Sequence, residues 1–237
     1  MLTRILHPSP EQVRLFGLAA MVGGALGVIV SPLYSLAYFA TDDGASDAES
    51  AWAQAWAEPA RDLLEPLLTF ASADVVRLAY GKLFLLVWIG LLAGLVGLHA
   101  RHAGREGRLE RWGFRASFAG LVLLVIGAFA GFWLEFAGFA FVAFLVPGLV
   151  LLVFGCSIFG LGAWRAGVAS RAGALLLVVG GLPGTLLISE VATLGGGLVL
   201  VYLAWVVLGR GLWSEAARRS HHIDHQTPIQ PQRRGFA

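Results

Sequence analysis

The sequence predicts an all-α integral membrane protein that crosses the bilayer six times, as three hairpins with both termini on the cytoplasmic side. Three observations predict it. First, 57% of the 237 residues are hydrophobic and only 14% are charged, against about 25% charged in a soluble domain. Second, uncharged apolar runs near the twenty residues needed to cross ~30 Å of hydrocarbon recur along the chain. Third, basic residues collect in alternate connections, and the cytoplasmic side of a membrane is the side that collects them.

Residues 1–14 form a short, net basic lead, and the first span covers 15–40. A signal peptide has an apolar core of only about 7–15 residues, so an uncleaved span is the better reading of this longer run. Ser31-Pro32 is expected to kink its second half, because proline removes a backbone donor. Segment 41–74 follows, rich in Asp and Glu. It is read as an interfacial loop on the outer face, with one short helix from Asp47 to Glu58 and a second, 60–65, bracketed by Pro59 and Pro66. Trp52 and Trp56, four apart, are its expected headgroup anchors. A partner-docking cap or a pocket lid is the alternative role for this loop.

The second span is 75–100, with Arg77 and Lys82 reaching back to the outer surface. The loop 101–115 carries Arg101, Arg105, Arg108, Arg111 and Arg115, placed to contact anionic phospholipid headgroups. Spans three to six are 116–134, 140–163, 172–189 and 191–209. The fifth is interrupted by Gly180, Gly181, Pro183 and Gly184. The membrane domain is therefore 1–212, and 213–237 is a polar tail without apolar periodicity, expected to be disordered. In this arrangement 14 of 17 Lys and Arg lie inside and 10 of 15 Asp and Glu outside. Trp112, Trp164 and Trp213 then join an inner interfacial belt.

A weak repeat, Gly97 to Gly104 against Gly160 to Gly167, fits hairpin units, although any positive-inside helix end looks somewhat similar. Glycines four apart (23 and 27, 90 and 94, 127 and 131, 180 and 184) predict close helix contacts, since lipid supplies no hydrophobic drive for association.

Chemistry is read mainly by exclusion. No span carries a charge near its centre, which argues against a carboxylate-based proton or sodium carrier. Hydroxyls and the lone thiol within the spans (Tyr34, Ser35, Tyr38, Cys156, Ser157, Thr185, Tyr202) are expected to bond their own backbone. Glu135 and Glu190 each follow an odd-numbered span and are candidates for a shared outer vestibule for a substrate or cation, with Pro183 as a flexible neighbour. His221, His222 and His225 are weak metal candidates in the tail, and no physiological metal is expected there. His99 and His102 are assigned to lipid phosphates. No haem ligand pair, phosphate loop or hydrolase motif is present, so no cofactor and no catalytic residue is assigned.

The expected partners are the bilayer and its anionic phospholipid, with a membrane-protein partner or a second copy possible and nucleic acid excluded. Arginine outnumbers lysine sixteen to one, a bias of GC-rich genomes, so the expected location is a bacterial inner membrane. A non-catalytic accessory or scaffold component is the leading function. Transport of an apolar or uncharged solute stands second, and a lipid-acting enzyme third. A polar cavity beside Pro183 would favour transport, and a carboxylate-lined cleft open to the outer leaflet would favour the enzyme.

Overall fold

Every regular element among the described residues is helical. The structure, a computed structural model, describes residues 9–102, 107–167, 169–189 and 197–226, the side chains at 10, 52, 102, 189 and 215–226 excepted. Helix α1 spans Pro10–Tyr38; Ser9 and Gln12 form a reciprocal capping box at its start, and Pro10 occupies the first turn, where its missing N–H costs nothing. Pro32 lies inside α1 without ending it. Helix α2 (Ala51–Leu68) crosses the far end of α1, and α3 (Ala73–His102) returns beside it. Helix α4 (Arg108–Ala128) runs into a π turn, Phe129–Trp133. A helical turn (Ala137–Ala140) and a second π stretch (Phe141–Leu145) lead into α5 (Val146–Ala166), which Gly167 ends in the left-handed conformation that glycine favours. Helices α6 (Arg171–Gly180) and α7 (Leu182–Ser189) meet at a 52° bend, and α8 (Val199–Gln226) closes the fold.

The long helices form a ring. Helix α1 packs between α3 and α8, α3 touches α4, α4 lies along α5, and α6 bridges α5 to α8. One apolar core runs through this ring, with Leu91, Leu121, Leu152, Phe159, Leu177 and Trp205 among its buried members. Among the described residues, four helices are long and apolar enough to cross a membrane, or five when the bent pair α6–α7 counts as one. The expected sixth span falls short here, because the apolar part of α8 is the shorter helix Val199–Ser214 and residues 191–196 lie outside the described residues.

Three expectations are corrected. The prolines do not divide the 41–74 segment: α2 is one helix with Pro59 and Pro66 inside it. The carbonyls these prolines leave unbonded belong to the exposed residues Ala55 and Asp62, where water can take them. On its other side, Ala53 and Ala57 bury against Leu36 and Phe39, and this second small core holds the helix. Next, the basic loop 101–115 is largely helical, since α3 continues to His102 and α4 starts at Arg108. Last, the segment beyond 212 is not wholly irregular, for α8 runs to Gln226 through Ala216, Ala217, Arg218 and Arg219, all strong helix formers.

Candidate functional site

The end of the ring under α2 (the cap end) is built by aromatic residues. Tyr38 closes α1, and the chain turns tightly over it, with the Thr41 hydroxyl donating to the Tyr38 carbonyl at 2.7 Å. Gly44 lies so near that carbonyl that a Cβ there would stand 2.1 Å from its oxygen, so only glycine fits. This turn carries Asp43 and Asp47 over Tyr38, whose hydroxyl donates to the Asp43 carbonyl at 3.2 Å and lies within hydrogen-bonding reach of the Asp47 side chain. The cap is also tied to α3, where the Tyr80 hydroxyl donates to the Leu67 carbonyl at 2.7 Å.

Beneath the turn, Tyr34 meets Phe84 and Phe132 edge-on, at centroid distances of 5.3 and 6.0 Å. Phe84 stacks on Trp88 at 5.7 Å, and Trp88 leans on Tyr202 of α8 at 5.7 Å. Tyr34, Phe84, Trp88 and Phe132 border a cavity of about 610 Å³ whose walls come from α1, α3, α4 and the start of α5. That volume suits a drug-sized molecule, for which pockets of about 300–1,000 Å³ are usual. Its mouth carries Tyr38, Asp43, Asp47 and Arg77, and its floor reaches Leu124 and Leu149, within α4 and α5. Both π stretches contribute wall residues, Phe132 from one and Phe141 and Leu145 from the other. Such widened turns recur at functional sites.

Arg77 is the cation of this mouth. Its Nη2 pairs with the exposed Asp74 carboxylate at 3.7 Å, a contact that contributes little. Its Nε is buried and has no hydrogen-bond partner among the described residues. Comparison of the chain with protein-family models, with curated proteins and with solved structures returns no match. The cavity's meaning therefore rests on its own chemistry.

The residues singled out from the sequence lie elsewhere. Glu135 is exposed at the turn between α4 and α5, with a positive φ of 61°, and does not line the cavity. Glu190 lies outside the described residues. Pro183 is exposed on α7, and no residue of α6, α7 or α8 lines the cavity. Arg108, Arg111 and Arg115 are exposed, Arg101 is half-buried and Arg105 is outside the described residues. Trp112 and Trp213 are exposed beneath Arg115 and Arg14, at 5.5 and 5.0 Å, and Trp164 is exposed. Trp56 instead joins the small core under the cap, 6.1 Å from Phe39, and the Trp52 side chain is not described. His99 is half-buried and stacked on Phe114 at 3.7 Å, and the His102 side chain is not described. The side chains of His221, His222 and His225 are not described, and no metal-ligand group of three forms among the described residues.

The hydroxyls divide. Thr185 bonds its own helix break, donating to the Gly180 carbonyl at 3.1 Å, as expected. Ser157 acts across helices: its hydroxyl accepts from the Leu182 N–H at 2.8 Å and donates to the Val178 carbonyl at 3.3 Å. The α6–α7 break thereby has backbone groups satisfied by a neighbouring helix, as an interrupted helix in lipid requires. The Tyr202 hydroxyl is buried without a partner among the described residues.

Sequence reasoning missed Asp43, Asp47 and Arg77 as site residues. A signal for Arg77 was present, because Arg77, Gly81, Phe84 and Trp88 follow 4-3-4 spacing and so share one face of α3. That face carries one charge above two aromatic residues.

Proposed function

We propose that this chain is a non-catalytic component of a membrane, an accessory or scaffold protein whose working feature is the storage or presentation of a largely apolar molecule in the cavity at the cap end. The observation that carries this reading is the shape of the cavity: aromatic and aliphatic walls reaching Leu124 and Leu149, with charge confined to the mouth. Apolar walls with few polar groups suit binding and orientation. Asp43 and Asp47 are exposed, and the other polar lining groups are Tyr34, Tyr38 and Arg77. This set favours holding a head group over attacking one, which places the lipid-acting enzyme behind the binding reading.

Six spans, as three hairpins with both termini cytoplasmic in a bacterial inner membrane, remain the topology that the charge distribution supports. The exposed Arg108, Arg111 and Arg115 then lie at the inner headgroups with anionic phospholipid, and the cap lies outside. Transport ranks second. The broken pair α6–α7 suits a moving element, but it takes no part in the cavity wall, and Ser157 bridges its two halves.

Uptake of a brominated single-chain alcohol by the purified chain, read as quenching of tryptophan fluorescence, tests the reading, since Trp88 lines the cavity. Gly131 also lines it, and a Cβ there meets only ordinary contact, at 3.4 Å. Gly131→Leu should fill the space and lower uptake at least tenfold. Uptake equal to wild type, or none by the wild type itself, rejects the proposal.

A further inference from the structure

We infer that the cavity accepts an amphiphile with a zwitterionic head, its cationic group held by Asp43 and Asp47, its anionic group by Arg77, and one apolar chain lying along Trp88 toward Leu124 and Leu149. The inference rests on the cavity reading above and adds the chemistry of the head.

The mouth holds two carboxylates and one guanidinium close together. The Tyr38 hydroxyl lies among them, since it bonds the Asp43 carbonyl and reaches the Asp47 side chain. A head with only negative charge would meet Arg77 but also two like-charged carboxylates. A head with only positive charge would suit those carboxylates and meet the like charge of the Arg77 guanidinium. A head carrying both signs satisfies all three groups. Guanidinium donors match phosphate and carboxylate oxygens in geometry as well as charge. Below the charged groups the walls are mainly the Phe84–Trp88 stack and the floor leucines, with the Tyr34 hydroxyl and the Trp88 indole N–H the few polar groups, so most of the remaining ligand is hydrocarbon.

The test uses the full chain in a maltoside detergent, with native mass spectrometry as readout. Three lipids share one acyl chain and differ in head: ethanolamine phosphate (zwitterion), glycerol phosphate (anion) and trimethylammonium (cation). A fourth ligand, glycerophosphoethanolamine, supplies the zwitterionic head without a chain. The zwitterionic lipid should bind at least tenfold tighter than either singly charged lipid, and the free head at least a hundredfold weaker. Arg77→Gln should weaken the zwitterion and the anion about tenfold and spare the cation. The double variant Asp43→Asn with Asp47→Asn, both at exposed positions, should shift preference toward the anion. Equal binding of the three lipids, or preference for a singly charged one, overturns the head assignment and leaves the cavity reading standing. Binding of none overturns both, and tight binding of the free head overturns the lipid assignment. The wild-type ranking decides the matter even if Arg77→Gln does not fold.

Discussion

The two ends of the α4–α5 pair are built on opposite rules. Toward the basic end the helices touch backbone to backbone. A Cβ added to Gly120 would stand 2.6 Å from the Leu152 nitrogen and 2.7 Å from the Gly148 carbonyl oxygen, and one added to Gly155 would stand 2.4 Å from the Ser117 nitrogen. Toward the cap end the same two helices widen into π stretches, and a Cβ on Gly131 would meet nothing nearer than 3.4 Å. Glycine is thus a contact residue at one end and a space-former at the other. The difference teaches that helix association and cavity formation draw on the same small residue. What decides between them is how closely the opposing backbone approaches.

Four substitutions can break or sharpen this contrast. The largest effect is expected for Gly120→Val, where backbone atoms block the new side chain. It should cost about 3 kcal/mol, at the upper end for overpacking, read as a lowered unfolding midpoint in detergent. A midpoint within error of wild type would show that the α4–α5 contact is looser than described. Next is Ser157→Ala, which leaves the Leu182 N–H and the Val178 carbonyl unbonded at the α6–α7 break. A loss of about 1–3 kcal/mol is expected, with faster amide exchange confined to residues around Gly181. Unchanged exchange there would show that the break satisfies itself.

Smaller still is Tyr202→Phe. The Tyr202 hydroxyl is buried without a partner among the described residues, so its removal should raise stability by about 1 kcal/mol, the lower end of the cost of a buried unbonded group. A loss of stability would instead point to a bonded hydroxyl. Smallest is Gly131→Ala, expected to lie within about 0.5 kcal/mol of wild type, as for sites free of contact strain. A large loss at Gly131 would erase the distinction between the two ends.

Legibility in the sequence followed the range of the interaction. Span cores were readable because hydropathy sums over neighbouring residues: the predicted runs 75–100 and 140–163 fall within long apolar helices, and 15–40 overruns its helix only at residues 39 and 40. Ends were less readable. Helix α4 begins at Arg108 rather than 116, since Arg, Leu and Glu are good helix formers and extend a helix past the apolar stretch that defines a span. The prolines of α2 misled for a similar reason, as their local penalty is outweighed by burial of Ala53 and Ala57 against α1. Glu135 drew attention as a carboxylate at a span end, yet its left-handed turn leaves it exposed.

By itself the sequence determined the class of this protein, helical among its described residues with several apolar helices long enough to cross a membrane, because water and lipid sort residues by composition alone. Only the tertiary structure decided that Tyr34, Asp43, Arg77, Trp88 and Leu149, spread over four segments of chain, border one space. A cavity exists where side chains from distant positions fail to meet. That failure depends on how far apart the backbones stand, which no pattern within a single helix records.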